Sequence, residues 1–185
     1  MKAGIFLFAA WLVTAMTASA QKSKAVYQPL IQAGLLEGEN GSAFQLQTVQ
    51  GLKYKTWSAG IGAGLDYYHT RSIPLFLDLR KALGQKNKGA FVYADGGYNF
   101  PWLTTANKAA FINDARSGYY FDAGLGYEFP VMKQNRFFFS AGYAYKTFKT
   151  VYEYVICPFL GPCFTQAEVQ AYRLRRVSLK AGLRF

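Results

Sequence analysis

Hydrophobic and polar positions alternate along most of this chain with a period of two, the spacing of β-strands whose two faces meet different surroundings. The clearest run is Trp57-Ser-Ala-Gly-Ile-Gly-Ala-Gly-Leu-Asp-Tyr67. One face carries Trp57, Ala59, Ile61, Ala63, Leu65 and Tyr67, and the other Ser58, Gly60, Gly62, Gly64, Asp66 and Tyr68. Such a run matches the roughly 10 residues that a tilted strand needs to cross a bilayer. From Ile73 to Leu79 the pattern repeats, with Pro74, Phe76, Asp78 and Arg80 on the second face. It returns in Tyr119 to Phe129, where Tyr119, Phe121, Ala123, Leu125, Tyr127 and Phe129 oppose Tyr120, Asp122, Gly124, Gly126 and Glu128.

Five further strands are expected near residues 26–37, 43–50, 90–100, 136–147 and 169–185. Turn-forming clusters separate them at Glu39-Asn40-Gly41-Ser42, His69-Thr70-Arg71-Ser72, Gly84 to Gly89 and Lys133-Gln134-Asn135. The expected fold is all-β: an eight-stranded antiparallel up-and-down transmembrane β-barrel. The face pattern selects a lipid-facing barrel over a water-soluble one. An eight-stranded barrel has an interior just wide enough for side chains to fill it. One set of faces is bulky (Trp57, Phe121, Tyr127, Phe129, Phe137, Phe139, Tyr143, Tyr145) and the other is thin (Gly60, Gly62, Gly64, Gly124, Gly126, Gly142, Gly182). Bulky faces belong outside, against lipid, with aromatics near strand ends in an interfacial girdle.

Residues 1–20 read as a secretory signal peptide: Lys2, an apolar stretch from Ala3 to about Met16, and a small-residue cleavage triplet, Ala18-Ser19-Ala20. Residues 21–185 then form one barrel domain. Beyond Ala20 no 18-residue apolar stretch exists for a transmembrane helix. The formal net charge is +11. In an exported chain without a dense basic run, this suits anionic lipid head groups or surface sugars, and no nucleic acid is expected. Connection lengths also fit a membrane barrel with its N-terminus inside. The short links, around Gly51 to Lys55, Gly84 to Gly89 and Val131 to Asn135, fall on the inner side. The two longest, about Pro101 to Ser117 and Phe148 to Glu168, fall outside.

The inward faces would carry Asp66, Asp78, Asp95, Asp122 and Glu128 against Arg80, Lys146, Arg176, Lys180 and Arg184. Five acids against five bases suit a plugged interior, because buried charge must be paired. Cys157 and Cys163, in Cys-Pro-Phe-Leu-Gly-Pro-Cys, most simply form one disulfide at a loop tip. Two thiols are too few for a metal site, and no cofactor is expected. His69, the only histidine, sits in His-Thr-Arg-Ser, which reads as a solvated turn. Gly60-Ile-Gly-Ala-Gly64 is no dinucleotide loop, since its glycines share one strand face and no helix follows.

The chain ends in Arg176-Val-Ser-Leu-Lys-Ala-Gly-Leu-Arg-Phe185, with Val177, Leu179, Ala181, Leu183 and Phe185 alternating up to a terminal aromatic. This resembles the C-terminal signal of outer-membrane barrels. More broadly, residues 25–185 resemble the outer-membrane protein β-barrel domain families of Gram-negative bacteria. The resemblance implies outer-membrane location, contact with its lipid, and the barrel-assembly machinery as partner during biogenesis. It transfers no catalytic residue. A monomeric, non-enzymatic barrel is expected, binding something or supporting the envelope through outer loops that carry Trp102, Phe111, Ile112, Phe159 and Leu160. The alternatives are a lipid A-modifying enzyme using His69 and an accessory factor of a secretion or transport complex.

Overall fold

The computed structural model describes residues 25–39, 41–84, 89–102, 112–131, 135–157, 159 and 161–185. The signal segment, 1–20, lies outside them. Ten strands run in chain order: β1 (Val26–Tyr27), β2 (Leu30–Gly38), β3 (Gly41–Tyr54), β4 (Trp57–Asp66), β5 (Ser72–Ala82), β6 (Gly89–Pro101), β7 (Ile112–Arg116), β8 (Gly118–Pro130), β9 (Arg136–Ile156) and β10 (Phe164–Arg184). All pairings are antiparallel between successive long strands, β10 pairs with β2, and a β3–β4 ladder completes the ring. The short strands β1 and β7 lie off the ring, so eight strands close it. An all-β closed barrel of this kind is the architecture that alternation predicts.

Both short strands are extensions of longer ones. β1 leads into β2 across Gln28 and Pro29, where proline supplies no N–H to the ladder. β7 leads into β8 with one residue too many: Arg116 pairs with Lys149 but Tyr120 with Lys146, four steps against three. The extra residue makes a bulge at Ser117–Gly118.

The strands are longer than the alternation alone suggests. β3 continues to Tyr54, so the expected link from Gly51 shrinks to Lys55 and Thr56, with Lys55 at φ 55°. The largest correction concerns Phe148 to Glu168, expected as a loop. β9 and β10 are 21 residues each and stay paired from Arg184↔Arg136 to Phe164↔Ile156 without a bulge. Only the tip, 157–163, lies between them, closed by the Cys157–Cys163 disulfide. Thr150, Val151, Tyr152, Val155 and Ile156 are strong strand formers, and a ladder already begun in the barrel extends through them. Part of the Pro101 to Ser117 connection is likewise strand, since β7 pairs with β9.

The interior is also not thin. Leu30, Val49, Phe76, Phe91, Tyr93, Tyr120 and Phe138 form one buried cluster. Leu36, Tyr68, Ala144, Phe148 and Leu174 form another. The glycines are the seats for these rings. A Cβ at Gly62 would strike the Phe76 ring, one at Gly126 the Phe91 ring, and one at Gly182 the Phe138 ring. We expect Gly62→Ala to destabilise the barrel by about 1–3 kcal/mol, the usual cost of overpacking, and Phe76→Leu in the same chain to recover part of it. Urea unfolding of protein folded into detergent micelles checks this. A Gly62→Ala barrel as stable as the parent would show that the seat is not tight.

Candidate functional site: the charged lumen and the two rims

Period-two alternation sends every second side chain of a closed sheet into the lumen. All ten charged residues expected there, Asp66, Asp78, Arg80, Asp95, Asp122, Glu128, Lys146, Arg176, Lys180 and Arg184, are buried. They gather into layers. Towards the β9–β10 hairpin end, Asp66 lies between Lys146 (3.2 Å) and Arg176 (2.6 Å). Its Oδ1 also accepts the backbone N–H of Tyr68 at 2.8 Å. Lys146 donates further to the carbonyl of Tyr68 (2.9 Å) and the hydroxyl of Ser72 (3.0 Å).

In the middle layer Lys180 bridges Asp122 at 2.7 Å and Asp95 at 3.4 Å. Its ammonium also lies 4.5 Å from the centre of the Tyr93 ring. Tyr93 and Ser178 donate to Asp122 Oδ1 at 2.9 and 3.0 Å. A second chain of bonds crosses the lumen: Arg80 donates to Asp78 (2.8 Å) and to Gln32 (3.1 Å), Gln32 to Gln47 (2.6 Å), and Gln47 to Tyr120 (2.7 Å). Arg80 is packed face-on by aromatics, 5.1 Å from the Phe138 ring centre and 5.6 Å from that of Phe91. At the end that holds Phe185, Glu128 pairs with Arg184 and, at 3.2 Å, with Arg136.

Several members of this interior do not stand out in the sequence. Gln32, Gln45, Gln47, Asn99 and Ser178 are buried polar residues, but uncharged amides and hydroxyls look alike on either face. Arg136 lies at a strand start, where alternation has no preceding residue to fix its face. Parity would have found the glutamines, since Gln45 and Gln47 alternate with Phe44 and Leu46.

The outer wall is apolar. Ile61, Leu77, Leu125, Val177 and Leu179 are all more than half exposed (53–67%) in its middle. Aromatics crowd both rims. Tyr54, Trp57, Tyr127, Phe129, Phe139 and Phe185 ring one end, and Tyr67, Tyr98, Phe100, Trp102, Tyr119 and Tyr143 the other. Cations sit over the rings at each level: Lys81 at 5.0 Å from Trp57, and Arg71 at 5.1 Å from Tyr67 and 5.5 Å from Trp102. Val177, Leu179, Ala181, Leu183 and Phe185 lie along the outward face of β10. All are exposed except Ala181, which is half-buried. Of the apolar loop residues singled out, Phe159 is fully exposed and Trp102 half-exposed under Arg71. Phe111, Leu160 and the Ile112 side chain lie outside the described residues.

His69 sits at φ 61° in the β4–β5 turn, beside Phe148 (5.7 Å) and Tyr172 (4.9 Å), which stack on each other. Burial first, and the Lys146 charge second, hold its pKa below the ordinary value. The imidazole is therefore neutral at pH 7 and packs as an aromatic. Ser72, the nearest serine in sequence, is engaged by Lys146. Among the described residues no group of three or more His, Cys, Asp or Glu could hold a metal ion.

A closed antiparallel ring with an apolar wall, aromatic rims and a paired polar lumen defines the class of small transmembrane β-barrels. The chain has the fold of small outer-membrane β-barrel proteins. It is similar to the outer membrane protein OprG from Pseudomonas aeruginosa, with a TM-score of 0.54 at 14% identity, over 88% of this chain and 98% of that one. It is similar also to Neisserial surface protein A, with a TM-score of 0.51 at 12% identity, over the same shares of the two chains. No family model and no curated protein matches the sequence.

Removing Lys180 leaves Asp95 and Asp122 buried without their shared cation. Breaking a buried ion pair from one side costs about 3–5 kcal/mol. Lys180→Met should therefore destabilise the barrel by that order, and adding Asp95→Asn and Asp122→Asn should restore most of it. Unfolding midpoints of the three proteins in detergent decide the matter. A single Lys180→Met that unfolds like the parent would remove the central layer from the stabilising set.

Proposed function

We propose that the chain is an integral outer-membrane protein, exported with cleavage after Ala20 and non-enzymatic, which presents the β9–β10 hairpin and neighbouring loops outside the cell for binding or envelope support. The observation that carries this reading is the inversion of polarity across the sheet. Ten charged side chains are buried inside while large apolar side chains cover the outside. Water would favour the opposite arrangement, and lipid favours this one.

The two ends differ in the way a membrane barrel's ends differ. β2 starts and β10 stops at one end, where the β3–β4 turn is also tight. The 21-residue strands overshoot at the other end. Short links belong to the periplasmic side and long ones outside. OprG and Neisserial surface protein A bear names that place them in an outer membrane or at a surface. The outward residues Val177, Leu179, Ala181, Leu183 and Phe185 then serve as the segment that the barrel-assembly machinery reads.

A filled lumen supports a non-conducting role: Arg176, Tyr68, Tyr120, Phe91, Phe138 and Lys146 are among the largest fully buried side chains. His69 packs against Tyr172 and Phe148, and the Ser72 hydroxyl is bonded to Lys146, which favours a binding role over acyl chemistry at the rim.

Membrane placement is tested by cysteine labelling on intact cells, since the two native cysteines are paired. Ser42→Cys, at the β2–β3 turn, should react with a membrane-impermeant maleimide. Lys81→Cys, near the other rim, should react only after the outer membrane is permeabilised. Equal labelling of both without permeabilisation would overturn the orientation. In planar bilayers the purified protein should give no stepwise currents. Removing the disulfide with Cys157→Ser and Cys163→Ser should leave the barrel's heat-modifiable gel mobility unchanged. Loop closure over so few residues contributes about 2 kcal/mol, which here acts on the hairpin tip; loss of the compact band would place the disulfide in barrel assembly instead.

A further inference from the structure

Ring closure ends abruptly on one side of β10. Its ladder with β2 begins at Arg176↔Gly38, because the β2–β3 hairpin turns there. Its ladder with β9 runs on to Phe164↔Ile156. From Phe164 to Arg175, β10 therefore has β9 on one edge and no strand among the described residues on the other.

Backbone parity shows what this edge offers. The N–H of Phe185 donates to Pro29 just before β2, and the carbonyls of Leu179 and Arg175 lie against Gly34 and Gly38 of β2. Odd-numbered residues thus aim their backbone groups at the β2 side. No bulge interrupts β10, so the same parity holds above the barrel. Thr165, Ala167, Val169, Ala171 and Arg173 aim N–H and C=O groups at the open edge.

Natural sheets guard such edges with charged side chains, lysine above all, and with proline, bulges or brevity; the charges here are Glu168 on one face and Arg173 and Arg175 at the end next to the barrel. The segment Phe164-Thr-Gln-Ala-Glu-Val-Gln-Ala-Tyr-Arg-Leu-Arg175 has no proline, lysine or bulge, and is long. It is also held rigid, by β9, by β7 behind β9 and by the disulfide at the tip. The residues beside it set the charge of a partner. Arg173 and Arg175 are exposed on the outward face, and neither makes an ion pair among the described residues. On the neighbouring strand Lys149, opposite Ala171 and nearer the two arginines, is exposed, as is Glu153 further out, opposite Ala167. The one acid of the segment, Glu168, lies on the opposite face, bonded to Tyr154 and Gln170.

We infer that the open edge of β10 binds an extended peptide segment of a partner protein by strand addition, with carboxylates of that segment lying against Arg173 and Arg175. Main-chain hydrogen bonds provide the affinity in this mode, and side chains beside the edge provide the selection. Small Ala167 and Ala171 leave the outward flank of the edge open. The inference rests on the proposed reading that this end faces the cell exterior, and it names how that surface binds.

The test uses the full-length barrel in detergent micelles and a fluorescein-labelled peptide of alternating valine and threonine with two aspartates at one end. Anisotropy should show saturable binding. The same peptide N-methylated at every residue should bind at least tenfold more weakly, because on neither of its edges is there an N–H left to face β10. Ala167→Pro and Ala171→Pro should have the same effect, since proline there removes a donor from the open edge and no bond to β9. Arg173→Gln with Arg175→Gln should weaken binding several-fold and abolish preference over a lysine-ended peptide. No binding of the parent peptide, or equal binding of its N-methylated form, overturns the inference, and the latter needs no variant to fold. Capture of phosphorylated glycolipid micelles through Arg173 and Arg175, without peptide binding, overturns it in favour of a lipid. Because binding is measured on purified protein, these failures leave membrane placement to the cysteine labelling.

Discussion

The ladder between β3 and β4 is the constraint on which the rest of this structure depends. A sheet in lipid has no water to satisfy the N–H and C=O groups of its edges, so it must have no edges. Gln45↔Asp66 through Tyr54↔Trp57 remove the last pair of them. With eight strands, closure fixes a narrow lumen, and the narrow lumen fixes what can point inward. Rings and glycines must alternate across facing strands, as Phe76 with Gly62 and Phe91 with Gly126 do. The side chains excluded from that space go outward, and they form the apolar wall.

Closure also explains why so much charge is buried. A lumen filled only with apolar groups would give the chain two apolar faces and little to choose between them. A one-residue slip in register exchanges the faces of a strand. Here such a slip would put Asp66, Asp78, Asp95 or Asp122 into lipid, at several kcal/mol for an unpaired charge. The layered pairs act as register markers, distributed over strands β4, β5, β6, β8, β9 and β10. Sharing strengthens the arrangement. Asp66 and Glu128 each serve two cations and Lys180 serves two carboxylates, while Asp78 and Arg80 pair with each other.

The faces of the strands were legible in the sequence because period two is a strong signal wherever glycine or aspartate alternates with a bulky apolar residue. Trp57 to Tyr67 is that case. Lengths were less legible. Near Val151 to Ile156 both faces carry aromatic and β-branched residues, so alternation fades while strand propensity stays high, and the segment read as a loop. The aromatic interior was hidden for a related reason. Phe76, Phe91 and Phe138 are the same residue types as the lipid-facing Phe121, Phe129 and Phe139, and only register separates them. Charged lumen residues could be named individually. Most of their partners could not, since every pair but Arg80–Asp78 joins different strands: Arg176 and Asp66, for example, are 110 residues apart.

Above the rim the constraint is lifted, and the sheet behaves differently. Water can satisfy backbone groups there, so an edge is allowed to reappear, and β10 exposes one as soon as β2 turns away at Gly38. What keeps the projecting hairpin from fraying is local packing. Tyr172 stacks on Phe148 at 4.9 Å and meets Tyr152 through their hydroxyls at 3.1 Å, while His69 closes the cluster from the β4–β5 turn. Phe148 belongs to the buried cluster at the top of the lumen, so the hairpin is anchored in the barrel's own core. A neutral His69 suits that role, because a protonated ring would stand close to Lys146. The same ladder thus does two jobs along its length: inside the wall it removes an edge, and beyond it, braced by one aromatic cluster and one disulfide, it holds an edge open.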